Sequence, residues 1–149
     1  MTLMNYYNII NESSLAVTSG DQLYSGNVVI PDYVHHDGTG YSVTSIGGGA
    51  FYECRGLTSV TIPYGVVDIY VGAFSYCENL TSIDIPTSVY NIAENAFCNC
   101  YSLSNIIIPE GVEEIGNRAF AGCESLSTIN TNKLDLPCKE KVTETQYVI

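Results

Sequence analysis

The phrase AFYECRGLTSVTIP begins at Ala50, and close copies follow at Ala73 (AFSYCENLTSIDIP), Ala96 (AFCNCYSLSNIIIP) and Ala119 (AFAGCESLSTIN). The spacing is 23 residues, without a gap. Phe51, Phe74, Phe97 and Phe120 align, as do Leu57, Leu80, Leu103 and Leu126. Val60, Ile83, Ile106 and Ile129 form a further set, and Ile46, Ile69, Ile92 and Ile115 close each cycle. A unit this short cannot bury a core alone. Stacked units can, with every aligned position becoming a column of like side chains. The period therefore dictates a solenoid.

Within each unit the segment LTSVTIP reads as a short strand. Val60 and Ile62 stand two apart and share one face, leaving Ser59 and Thr61 on the other. Pro63, Pro86 and Pro109 end the strands, because proline has no N–H for a ladder. Successive strands pair in parallel along the stack. In AFxxC the Phe and Cys lie three apart, which suits one turn of helix or 3₁₀ on the opposite side.

The cysteines Cys54, Cys77, Cys100 and Cys123 occupy one column. A free cysteine behaves as a small buried hydrophobe with a weak S–H donor, which fits a tight turn whose carbonyls need a partner. Disulfides between neighbours need Cα atoms about 4.4–6.8 Å apart, and the helical side of a solenoid opens beyond that. Cys98 and Cys138 lie off the column. The CNC spacing around Cys98 lacks the two further ligands that zinc needs, so no metal is expected.

Charge narrows the partners. The chain of 149 residues carries a net charge of −11. Residues 1–130 hold 13 acids against two bases, Arg55 and Arg118. Nucleic-acid binding needs clustered Lys and Arg, and an anionic membrane surface needs the same. Both are excluded. No stretch approaches the roughly 18 apolar residues of a membrane helix, and no membrane insertion is expected. Lys133, Lys139 and Lys141 all fall in the last 19 residues, which differ in kind from the body.

Catalytic vocabulary is thin. His35 and His36 are adjacent and followed by Asp37; they read as a polar hairpin loop rather than part of a nucleophilic triad. IGGGAF at Ile46–Phe51 aligns with IYVGAF, IAENAF and IGNRAF, and no lysine follows it, so it is a turn and not a phosphate loop. Glu110, Glu113 and Glu114 lack a calcium-loop pattern and read as a solvated acidic turn. Asn11 and Asn79 begin glycosylation sequons, relevant only in a eukaryotic secretory pathway. No enzyme activity and no cofactor are expected.

SVTSIGGGAFYECRGLTSVTIP, at Ser42–Pro63, resembles the repeat of the BspA-like branch of the leucine-rich repeats, and the pattern extends from about Tyr41 to Ile129. The lead-in NYYNIINESSLAVTSGDQLYSGNVVIP is similar to the segment that precedes such repeats. The resemblance implies an α/β-type, leucine-rich-repeat-like right-handed stack, with short parallel strands and short helical or 3₁₀ turns opposite. It also implies a secreted or surface-displayed adhesin-like protein, and a host or bacterial extracellular protein as partner. The family has no shared catalytic residues to map.

The ends depart from the repeat. Residues 1–40 are expected to form an N-terminal β cap, 41–130 the solenoid of about four repeats, and 131–149 a C-terminal cap or linker. A partner would read the outward strand positions: Ser59 and Thr61, Ser82 and Asp84, Asn105 and Ile107, Thr128 and Asn130. Ile107 is the one apolar residue among them. Twelve tyrosines without a tryptophan add candidates, Tyr64 and Tyr90 among them, since tyrosine offers stiff area with a polar tip. A protein-binding module, a spacer displaying other domains and a glycan-binding module are the readings the sequence leaves open.

Overall fold

The computed structural model describes residues 6–20 and 23–131. In chain order the strands begin with β1 (Tyr7–Ile9), β2 (Ser14–Val17), β3 (Ser25–Val29), β4 (Tyr33–His36) and β5 (Thr39–Ile46). The repeats then supply β6 (Gly56–Thr61), β7 (Asp68–Ile69), β8 (Ser82–Asp84), β9 (Asn91–Ile92), β10 (Asn105–Ile108), β11 (Glu114–Ile115) and β12 (Thr128–Thr131).

Each repeat has three sides. The expected LTSVTIP strands are β6, β8, β10 and β12; β6 pairs with β8, and β10 with β12, all in parallel. After each proline the chain reverses through a turn closed by Val66 N–H to Pro63 O, Val89 N–H to Pro86 O and Val112 N–H to Pro109 O. A second strand column follows, which the sequence reading did not separate out. Ile46, Ile69, Ile92 and Ile115 lie on β5, β7, β9 and β11, paired successively in parallel.

The third side carries the AFxxC segments. Where the spacing suggested a helical turn, the described residues form no helix. The chain instead closes isolated i+3→i bonds, such as Ala50 N–H to Gly47 O, Tyr52 N–H to Gly49 O and Cys54 N–H to Phe51 O. Residues in the left-handed region interrupt each turn: Gly49 and Glu53 at φ 63° and 56°, Gly72 and Tyr76 both at 62°, Asn95 and Asn99 at 55° and 60°, Arg118 and Gly122 at 58° and 74°. A right-handed helix cannot propagate through such residues. The alternate N–H groups are thereby freed to reach the next repeat. Gly49, Phe51 and Glu53 donate to the carbonyls of Val71, Ala73 and Ser75 at 3.1, 2.7 and 2.9 Å. Gly72, Phe74 and Tyr76 do the same to Glu94, Ala96 and Cys98, and Asn95, Phe97 and Asn99 to Asn117, Ala119 and Ala121.

The core lies between the three sides. The phenylalanines stack nearly parallel, with ring centroids 4.9, 5.1 and 5.4 Å apart from Phe51 through Phe120. All four are buried, as are Cys54, Cys77, Cys98, Cys100 and Cys123, every one a free thiol. Cys138 lies outside the described residues.

The lead-in residues extend the stack rather than merely covering it. β2 pairs in parallel with β5, and β3 with β6, bringing Val28 opposite Val60. Ile30 N–H continues this ladder to Thr61 O. Tyr24 lies on Phe51 at 4.6 Å, in the place of a preceding phenylalanine, and burial pushes its phenol pKa up. β1 adds to β2 antiparallel, and β4 to β5. The β4–β5 hairpin turns on Asp37-Gly38, both at positive φ, as a two-residue hairpin requires. Residues 132–149, most of the expected C-terminal cap or linker, lie outside the described residues.

Candidate binding face

The strands β3, β6, β8, β10 and β12 set their outward side chains in two columns. Asn27, Ser59 and Ser82 are in register across β3, β6 and β8, and Asn105 pairs with Thr128 across β10 and β12. The second column runs Val29, Thr61, Asp84, then Ile107 and Asn130. Thr61, Ser82, Asp84, Asn105, Ile107 and Asn130 are exposed, and Ser59 is partly covered. Thr128 has its backbone in β12, but its side chain lies outside the described residues. The alternation that buries Val60, Ile83 and Ile106 is what turns these side chains outward.

Sequence reasoning missed Asn27 and Val29. Val29 is 73% exposed, more than Ile107 at 59%, and the two stand in one column. Asn27 Oδ1 accepts from the hydroxyls of Thr58 and Ser59, both at 2.9 Å, and ties β3 to β6 at this face. The signal was present: the VVIP ending at Pro31 matches VTIP, IDIP and IIIP.

The two candidate tyrosines are not brought together. Tyr64 follows Pro63 in the turn after β6 and is exposed. Tyr90 stands beside β9 in the other sheet and donates its hydroxyl to Glu113 Oε2 at 2.9 Å. That acceptor raises the Tyr90 pKa, first through the hydrogen bond and then through its charge. Tyr90 therefore belongs with the column Val67–Tyr90–Glu113 rather than with the β6–β12 face.

The histidines occupy the β4–β5 hairpin. His36 Nε2 meets Asp37 Oδ2 at 3.1 Å, and His35 packs edge-on to Tyr33. Among the described residues no group of three or more His, Cys, Asp or Glu is arranged to hold a metal ion. No helix of the described residues is long and apolar enough to cross a membrane.

This geometry defines a leucine-rich repeat protein: short parallel strands on one side, bonded turns on another, and a column of side chains at every repeat position. The family profile for BspA type leucine rich repeat regions matches residues 39–137 in six copies, and the chain belongs to that family. Such repeats generally mediate protein interaction, and no catalytic family is indicated.

Among solved structures the chain is similar to a leucine-rich repeat protein from Bacteroides capillosus, with 31% identity and a TM-score of 0.78 over 89% of this chain and 98% of that one. It is also similar to one from Bacteroides ovatus, at 34% identity and a TM-score of 0.65, covering 83% of this chain and 39% of that. A leucine-rich repeat protein of T. pallidum matches at 25% identity and a TM-score of 0.69, over 87% and 70% of the two chains. No curated protein matches.

Proposed function

We propose that the chain is a non-enzymatic protein-binding module of a secreted or surface-displayed, adhesin-like protein, and that its partner is a host or bacterial extracellular protein. The observation that supports this reading is the pair of outward columns on β3, β6, β8, β10 and β12. They offer small polar side chains at fixed spacing, with Val29 and Ile107 as exposed apolar points in one column. An ordered array needs little further fixing on association, which lowers the entropic penalty of binding. Family membership supports both the interaction role and the surface location. Residues 1–40 act as the cap of this module and, through Asn27 and Val29 on β3, extend the reading surface that residues 41–130 supply.

The test is binding of the purified chain to immobilised extracellular-matrix and plasma glycoproteins, fibronectin and fibrinogen foremost, at two salt concentrations. Ile107→Asp and Val29→Asp run beside it. Saturable binding lost in either variant supports the reading. Absence of binding to any of them shifts the assignment to a structural spacer that displays other domains.

A further inference from the structure

The turn side of the solenoid carries a concave feature whose lining shares no residue with the β6–β12 face. One turn column reads Tyr52, Ser75, Cys98, Ala121. The large first member gives way to small ones, and a trough of about 450 Å³ opens there, within the size range of ligand pockets. Ser75 and Cys98, both buried, lie at its floor. Tyr52 stands at one end, edge-on to Tyr76 at 5.7 Å. Planar polar groups follow along the sides: Glu94, Asn95, Asn99 and Arg118.

The backbone at this place singles the trough out. Each repeat has two left-handed positions, at which glycine fits without strain. Gly49, Gly72 and Gly122 obey that rule. Five positions do not, and four of those five, Tyr76, Asn95, Asn99 and Arg118, line the trough beside Gly72; asparagine tolerates the conformation, which leaves Tyr76 and Arg118 as the strained pair. Tyrosine and arginine are poor residues for this conformation. Glycine serves in the same columns at Gly49, Gly72 and Gly122, so a tyrosine and an arginine held there at Tyr76 and Arg118 mark side chains kept for something other than the fold.

We propose that the trough binds a neutral oligosaccharide. The two tyrosines and Val71 give an apolar end for the C–H face of a sugar ring. The amides, carboxylate and guanidinium are the donors and acceptors that meet vicinal hydroxyls in pairs. Glu94 and Arg118 are the only charged residues of the lining and cancel, which matches an uncharged ligand. A peptide strand is the poorer match. The N–H groups of residues 72, 74, 76, 95, 97 and 99 are already bonded to carbonyls of the following repeat, so no free strand edge is offered here.

The experiment titrates the full chain with cellotetraose, maltotetraose and N-acetyllactosamine, by calorimetry and by ligand-observed NMR saturation transfer. Tyr76→Gly and Arg118→Gly are compared with the parent. Both put glycine where the column already accepts it, so folding is retained. The expected result is saturable binding of at least one sugar, weakened at least about tenfold in both variants and unchanged in Ile107→Asp. Failure of all three sugars to saturate overturns the proposal. So does binding that survives both glycine variants, or saturation by an unstructured peptide in place of the sugars. Loss of glycoprotein binding in Ile107→Asp reports on the other face and is read separately.

Discussion

The Cys100 thiol donates to the carbonyl of Phe74 at 3.1 Å, 26 positions back in the chain. Cys77 repeats the contact to Phe51, and Cys123 to Phe97, at the same distance. Each thiol thus ties one repeat to the one before it, at a carbonyl that also accepts the N–H of the cysteine in its own repeat.

Cys100→Ala removes this donor and leaves a small cavity, and should lower stability by about 1–2 kcal/mol. The Cys100 thiol pKa is raised, first by hydrogen bonding with Cys123 and Cys77 and then by burial. Burial lifts Cys54 from 9.0 to about 11. A thiol held neutral in the fold favours folding fully below its unfolded pKa. That contribution fades as the pH rises from 9.0 towards about 11, because the unfolded chain releases the proton first. Urea midpoints measured from pH 7 upwards should therefore fall across that window, and Cys54→Ala should flatten the decline. In the native chain, thiol reagents should modify the column cysteines only at the rate of opening.

Phe97 sits between Phe74 and Phe120 in the ring stack, with interplanar angles of 3° and 4°. Phe97→Ala should cost roughly 3–5 kcal/mol. Ser82→Ala and Thr61→Ala, at exposed strand positions, should change stability by less than about 0.5 kcal/mol. Equal losses in chemical denaturation at all three would contradict the column assignment.

The left-handed positions make opposite substitutions informative. Arg118→Gly should raise stability by about 0.5–1 kcal/mol, since relief of a left-handed arginine outweighs the added freedom of the unfolded chain. Gly72→Ala should lower it by about 1 kcal/mol. Space is not the obstacle there, because an added Cβ would come no closer than 3.9 Å to Ser75 Cβ; the φ of 62° is. Thermal melts of the two variants should move in opposite directions.

Asn27 joins β3 to β6 through two hydroxyls. Asn27→Ala should cost about 1 kcal/mol, and amide exchange should quicken in Ser25–Val29 before it does in β8. Uniform quickening along the stack would show that β3 is not a separable end piece.

Side-chain columns were legible from the sequence because burial on a solenoid repeats with the chain. Phe51 predicts Phe74, and Val60 predicts Ile83. The second sheet was not legible, since two-residue strands such as Asp68–Ile69 are too short to show alternation. That is why the sequence did not show that Tyr90 stands beside β9. Left-handed positions were obscured for a related reason: glycine marks Gly49 and Gly72, but Asn95 and Arg118 break the signal in the same column. Val29 escaped because the β4–β5 hairpin intervenes, so Pro31 and Pro63 stand 32 positions apart instead of 23. The outward set on β6, β8 and β10 needed nothing beyond period two.

The turn bonds between repeats all run one way. The peptide that accepts through Val71 O donates through Gly72 N–H to Glu94 O, and the next donates through Asn95 N–H to Asn117 O. Parallel files run through Ala73–Phe74 and Ser75–Tyr76. Three columns of head-to-tail amides therefore run along the solenoid axis, each peptide contributing a dipole of about 3.5 D that polarises the next. The turn side is an electret. Its N–H groups face the C-terminal end, so the positive pole lies there, the reverse of an α-helix, and a body rich in carboxylates carries a fixed internal field along its length.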